Sequence, residues 1–304
     1  MFICESRIDH HTHNRLARPV VLFALVALSL CAQQSAKADV VTDWNDITTA
    51  TVTGSPPQQA RFASITHAAV FDAVNAIDRR YTVYAVSPPV TLPASQGAAA
   101  AAAAHGVLVR LFPASKTTLD NLYAASLAQI DDGDAKQNGI AIGEFVANEM
   151  VAIRSNDGSA PLPYTLPAAG LGVWRPTEPR PAAIPWWGGV TPFVLESATQ
   201  FHVPPPPELT SAEYAADVNE VKAYGRASGS LRTPDQTELA RFWAESGVLQ
   251  WNRIARAIAA ERQTTLAENA RLFALLNMAF SDASVMVFET KYRFNFWRFV
   301  SFKS

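Results

Sequence analysis

Cysteine is nearly absent from this sequence. There are two, Cys4 and Cys31, and both fall within the first 38 residues. Beyond that leader no disulfide, thiol nucleophile or cysteine metal site can form, so packing alone must hold the fold. An excess of charge of one sign is lacking as well. The formal net charge is -2, which speaks against a nucleic-acid binder or a basic membrane-surface protein. Glycine is scarce at 14 residues while alanine is abundant, a balance that favours helix. Strand-like alternation and internal repeats are missing too. Histidine is sparse, and beyond residue 38 only His67, His105 and His202 remain.

What the leader does contain is export chemistry. Arg15 and Arg18 precede an apolar run from Val20 to Leu30, and Ala36-Lys37-Ala38 is a small-x-small cleavage site. The run is shorter than the roughly 20 residues that cross a bilayer. Residues 1–38 are therefore expected to be a signal peptide. The mature chain would begin near Asp39, secreted or periplasmic, with no membrane contact after cleavage.

The full chain is 49% hydrophobic and 17% charged, enough apolar mass for one large core or two modest ones. Helices are announced by caps and period. Ser55-Pro56-Pro57-Gln58 pairs an N-cap with proline in the first turn, and Phe62, Ile65, Ala69, Ala73 and Ile77 form one stripe. Ala94 to Phe112 carries seven consecutive alanines, Ala98 to Ala104, which let a neighbouring helix approach closely; Pro113 ends the segment. Leu119, Leu122, Tyr123 and Leu127 mark another helix, and Ile140 to about Arg154 a fourth. Asp131 to Asp134 lacks the spacing of a calcium loop and is expected to be a solvated turn. Capping boxes at Thr210-x-x-Glu213, Thr233-Pro234-Asp235-Gln236 and Thr265-x-x-Glu268 open three more helices.

Residues 155–209 differ. They hold 12 of the 20 prolines and Trp174, Trp186 and Trp187. Proline at that density blocks helices and ladders, yet disordered segments are poor in aromatics. An ordered, irregular wrap across the helices is expected. The fold class is all-α, a helical domain over 39–304 with this Pro/Trp-rich segment inside it.

The chemistry is concentrated in Lys291-Tyr292-Arg293-Phe294-Asn295-Phe296-Trp297-Arg298. On a continuous helix, Lys291 and Arg298 would share one side, about 20° from in phase and about 10 Å apart along the axis. Two convergent cations suit an oxyanion: arginine offers a planar fork, lysine a compact point charge. The aromatic neighbours would keep the site dry and strengthen each contact. Alternatively, the same residues are solvated partners of the helix dipole.

This segment resembles the first motif, K-x-x-x-x-x-x-R-P, of the type 2 phosphatidic-acid phosphatase superfamily in its vanadium-dependent haloperoxidase branch. Further resemblance lies in Trp44-Asn45, the helix from His67 to Asn75, Trp187-Gly188, Pro204 to Pro207, Arg232-Thr233, Trp251-Asn252 and Asn269 to Ala279. It implies an oxyanion site for vanadate or phosphate with Lys291 and Arg298 on the anion, and a haloperoxidase or acid phosphatase activity in complete relatives. Phe299 stands where the motif has proline. The two histidine-bearing motifs that follow in the family are missing, so no catalytic and no metal-binding residue is assigned. The expectation is a chain cut after its first motif and inactive by itself, binding a small oxyanion and no nucleic acid. It would self-associate through an exposed face around Phe294, Phe296 and Trp297. A non-catalytic secreted helical protein, and a subunit completed by another chain, are the alternatives.

Overall fold

The computed structural model describes residues 39–176, 181–201 and 203–298. The expected signal peptide, His202 and Phe299 lie outside them. The described helices are α1 (Val40–Thr51), α2 (Pro56–Asp78), α3 (Gln96–Leu111), α4 (Lys116–Leu127), α5 (Asp134–Ile153), α6 (Ala212–Tyr224), α7 (Pro234–Phe242), α8 (Gly247–Arg262) and α9 (Leu266–Phe294). Among the described residues there is no strand, only an isolated antiparallel bridge between Val173 and Phe296.

The helix starts follow from side-chain capping of amides that have no partner within the helix. Gln58 Oε1 accepts from the Ser55 amide and hydroxyl at 3.0 and 2.8 Å. The Thr233 and Thr265 boxes form as expected. The remaining start moves by one residue: Ser211, not Thr210, caps α6 and accepts from Tyr214 N at 3.0 Å. Both hydroxyls are adjacent, and serine is the better N-cap of the two.

α2 runs through the core, packed against α3 on one side and α9 on the other. The alanine run of α3 is wholly buried and lies against the glycines of α5. A Cβ on Gly143 would sit 2.7 Å from Ala102 Cβ and 2.8 Å from Ala103 N. The two backbones therefore touch where neither residue has bulk. α9 has the length and hydropathy to cross a membrane, but it works as a core helix. Ala270, Phe273, Ala274, Met278 and Val285 are buried, and so are the polar Asn277, Ser281 and Asp282.

Asn277 and Asp282 are paired, whereas Ser281 Oγ and, in the network below, His67 Nδ1 have no hydrogen-bond partner among the described residues. Asn45, His67, Asn252, Arg256 and Asn277 join α1, α2, α8 and α9 in one network. Asn252 and Asn277 exchange amide hydrogen bonds at 2.8 and 3.0 Å. Asn45 donates to Asn252 Oδ1 at 2.6 Å and to His67 Nε2 at 2.9 Å, and accepts from Arg256 Nη1 at 2.6 Å. With both Asn45 hydrogens given away, His67 Nε2 must be the bare acceptor and its proton sits on Nδ1. Burial, with Arg256 adding to it, lowers the His67 pKa to about 3, so the ring is neutral. It is a core histidine, as its apolar helix suggests.

The described parts of the Pro/Trp-rich segment are pinned to the helices at three places. Asp157 bridges Arg61 at 2.7 Å and Arg154 at 2.8 Å, and Arg154 also donates to Thr191 O and Pro192 O. Asp282 of α9 accepts from the Phe193, Val194 and Leu195 amides at 2.6, 2.8 and 3.0 Å. Trp187 is buried and donates to Ser284 Oγ at 3.1 Å; beside it, a Cβ on Gly188 would meet Glu289 Cα at 2.6 Å. Irregular backbone survives here because its polar groups find partners on rigid helices.

Candidate oxyanion site

The last turn of α9 does not continue to Arg298. Asn295 turns left-handed, φ 46°, and its amide donates to Lys291 O at 3.1 Å. Asparagine tolerates this conformation better than most residues. The expectation of two cations on one helical face is therefore corrected. Lys291 sits on the helix, whereas Arg298 lies past its end in extended chain.

A different device brings them together. Trp174 N donates to Asn295 O at 2.7 Å, and Trp297 N donates to Gly172 O at 2.8 Å. These bonds flank the Val173–Phe296 bridge and tie the exit of α9 to the wrap. Trp297 Nε1 donates to Tyr214 Oη at 2.5 Å, adding an anchor from α6. Arg298 follows directly and is exposed.

Lys291 is half-buried among rings. Its Nζ lies 4.8 Å from the Phe288 centroid, 4.8 Å from Tyr292 and 5.7 Å from Trp174. Tyr292 is itself fixed, donating to Ala183 O at 2.7 Å and meeting Trp174 and Tyr164 edge-on. Burial pushes the Lys291 pKa down, and the positive charge of Arg298 pushes it further the same way. The two cations thus feel each other despite their separate routes. Among the described residues neither makes an ion pair; the nearby Glu289 is engaged by Arg293 at 2.8 Å. The site is a pair of uncompensated positive charges, one roofed by aromatics and one open to solvent, as an anion requires.

Neither histidine among the described residues joins it. His67 packs on Phe273 at 5.5 Å, and the α9 stretch from Phe273 to Lys291 is about 27 Å long. His105 binds Asp120 at 2.9 Å and stacks on Tyr123. Among the described residues no group of three or more His, Cys, Asp or Glu is placed to hold a metal ion. A hollow of about 540 Å³ lined by Phe71, Tyr81, Arg271 and Met278 lies toward the other end of α9, away from the cation pair.

Two parts of the surroundings differ from the sequence expectation or escaped it. Phe294, Phe296 and Trp297, expected to lie open, are half-buried, because Tyr214 and the wrap cover the latter two. Exposed aromatics lie elsewhere, among them a cluster of Phe242, Trp243 and Trp251 on and after α7 and on α8. Trp174, Tyr164 and Tyr214 had no assigned place at the site; the aromatics of the wrap were the available signal.

No family model matches the chain. Among curated proteins it is similar to the vanadium chloroperoxidase of Curvularia inaequalis, 28% identical over 317 residues, covering 80% of this chain and 52% of that protein. The chain spans about half the length of this curated relative. Among solved structures, a bacterial vanadium-dependent iodoperoxidase superposes with a TM-score of 0.71 at 23% identity, over 86% of this chain and 70% of that one. Bacterial vanadium-dependent chloroperoxidase gives 0.60 in its apo type and 0.59 in its holo type, at 16% and 17% identity. Those two matches cover 80% and 88% of this chain, and 63% and 66% of theirs.

Proposed function

We propose that the chain is a member of the vanadium haloperoxidase superfamily, to whose proteins it is similar in sequence and fold, and that Lys291 and Arg298 bind a small tetrahedral oxyanion, phosphate or vanadate. The observation that carries this reading is the pair of mutually repelling cations with no carboxylate on either among the described residues. An anion between them removes the repulsion and gains charge-assisted hydrogen bonds from both. Dipole compensation alone explains Lys291 in the last turn of α9, but not Arg298, which has left the helix.

The residues present fit the holding of such an anion by its outer oxygens. Among the described residues they do not supply a histidine beside it, since His67 and His105 are committed elsewhere. Bound vanadate would bring peroxide activation in complete relatives; here the chain contributes charge and a dry aromatic wall.

Titration of the purified chain with inorganic phosphate or vanadate should therefore show weak, specific binding. Lys291→Ala and Arg298→Ala should each lower the affinity by roughly 10-fold or more, the worth of one charge-assisted contact. Parent-like affinity in both variants would refute the site.

Turnover by these 304 residues alone is a separate matter. General acid–base catalysis contributes about 10²–10⁴-fold, and a nucleophile divides the hard step in two. With neither among the described residues of the site, the chain is expected neither to brominate an organic acceptor with vanadate, peroxide and bromide nor to hydrolyse an aryl phosphate above background. Measurable vanadate-dependent bromination would overturn this part while leaving the binding site intact.

A further inference from the structure

Resting on the anion-site reading above, we infer that Trp174 is a positioning residue for that site, its indole face holding the Lys291 ammonium in place for the oxyanion. Trp174 comes from the wrap, more than a hundred residues upstream of Lys291. It is 8% exposed, and two features fix it there.

The first is its backbone. Trp174 N bonds to Asn295 O at 2.7 Å, one step from the left-handed turn that ends α9. That bond fixes the backbone that carries the ring, and it also aligns the segment leading to Arg298. The second is its packing. Tyr292 meets it edge-on at 5.8 Å, leaving the indole directed at Lys291, whose Nζ lies 5.7 Å from its centroid.

The electrostatics favour this arrangement over an apolar lid. Lys291 is repelled by Arg298 and is partly stripped of water. An aliphatic cover would only worsen both. An aromatic face offers negative quadrupole density to the ammonium and so offsets part of the cost of burying a charge beside a like charge. Phe288 and Tyr292 do the same from the helix side, but among the described rings only Trp174 approaches from outside α9 and can restrain the long lysine chain against it.

The test compares Trp174→Phe with Trp174→Leu in the full chain, by calorimetric titration with inorganic phosphate across pH 6 to 10. Both substitutions fill the space apolarly, and only phenylalanine keeps a π face. Trp174→Phe should bind phosphate within about twofold of the parent, while Trp174→Leu should lose about fivefold. The alkaline limb of binding, where Lys291 gives up its proton, should move down by about half a pH unit in Trp174→Leu alone. Equal affinities and coincident limbs in the two variants would overturn the inference, as would a loss in both that tracks a lowered melting temperature. Loss of binding in Lys291→Ala with equal behaviour of the Trp174 variants would place the failure here. Parent-like binding in Lys291→Ala and Arg298→Ala would place it in the anion site itself.

Discussion

Gly143→Ala should destabilise the protein by about 2 kcal/mol, although alanine is the better helix former. Propensity alone favours alanine in a helix interior by about 1 kcal/mol. Against it stands the seam between α3 and α5. The new methyl would overlap the Ala99 carbonyl and lie 2.7 Å from Ala102 Cβ and 2.8 Å from Ala103 N. Two of those neighbours are backbone atoms in a buried helix, so no rotamer change relieves the contact and the helices must separate. Overpacking of this kind costs about 1–3 kcal/mol, occasionally more, and prevails over propensity. Gly143→Leu should approach the upper end of that range or prevent folding. Gly97, on the same α3, is the internal control. Its added methyl meets only Ile130 Cδ1 at 3.4 Å and Ser95 Oγ at 3.8 Å. Gly97→Ala should therefore be neutral or stabilising by about 0.5 kcal/mol. Denaturant melts that give both alanines the same sign would refute the tight-seam account.

Mild acid should weaken the fold through His67. Its folded pKa is lowered from 6.5 to about 3 by burial, with Arg256 contributing. The unfolded chain therefore takes up a proton that the folded chain refuses. Stability from this group is complete above the unfolded value and declines as pH falls below about 6.5 toward 3. By pH 5 the loss is about 2 kcal/mol, at 1.36 kcal/mol for each unit below the unfolded pKa. The structure gives the reason in atoms. Protonated Nε2 would point a hydrogen at the Asn45 amide, which is already a donor to it, and the network through Asn252 and Asn277 would have to reorganise. Asp157, held down by Arg61 and Arg154, adds acid sensitivity only below its ordinary value of 3.8, and Asp72, raised by burial, acts in the opposite direction. The window from 6.5 to about 4 thus belongs largely to His67. His67→Gln keeps an acceptor for Asn45 and should flatten the stability profile across that window; an unchanged slope would remove His67 as the cause.

Much of the fold was legible in the sequence because it is written locally. Ser55 with Gln58, Thr233 with Gln236 and Thr265 with Glu268 declare helix starts within four residues. The alanine run of α3 declares a close helix contact, which Gly139 and Gly143 supply. The aromatics of residues 155–209 indicated an ordered segment, and Trp187 on Ser284 bears that out. The site was legible only in part. Lys291 and Arg298 stand out by residue type and spacing, and the structure brings them within reach of each other's charge. Their geometry did not follow, since a period of 3.6 projected past Phe294 takes no account of Asn295. The pairing of Val173 with Phe296 joins positions more than a hundred residues apart, and no local pattern announces such a partner. His67 was readable as a core residue, but its bond to Asn45 depends on where three other helices cross.

The left-handed turn at Asn295 puts the two cations in separate mechanical frames. Lys291 is indexed by the rotation of α9, so one residue gained or lost upstream within that helix would swing it by about 100°. Arg298 is indexed by the isolated Val173–Phe296 bridge, where a one-residue slip sends a side chain to the opposite face. Insertions near residue 295 should consequently misalign one charge without the other, and this short junction will tolerate changes of residue far better than changes of length.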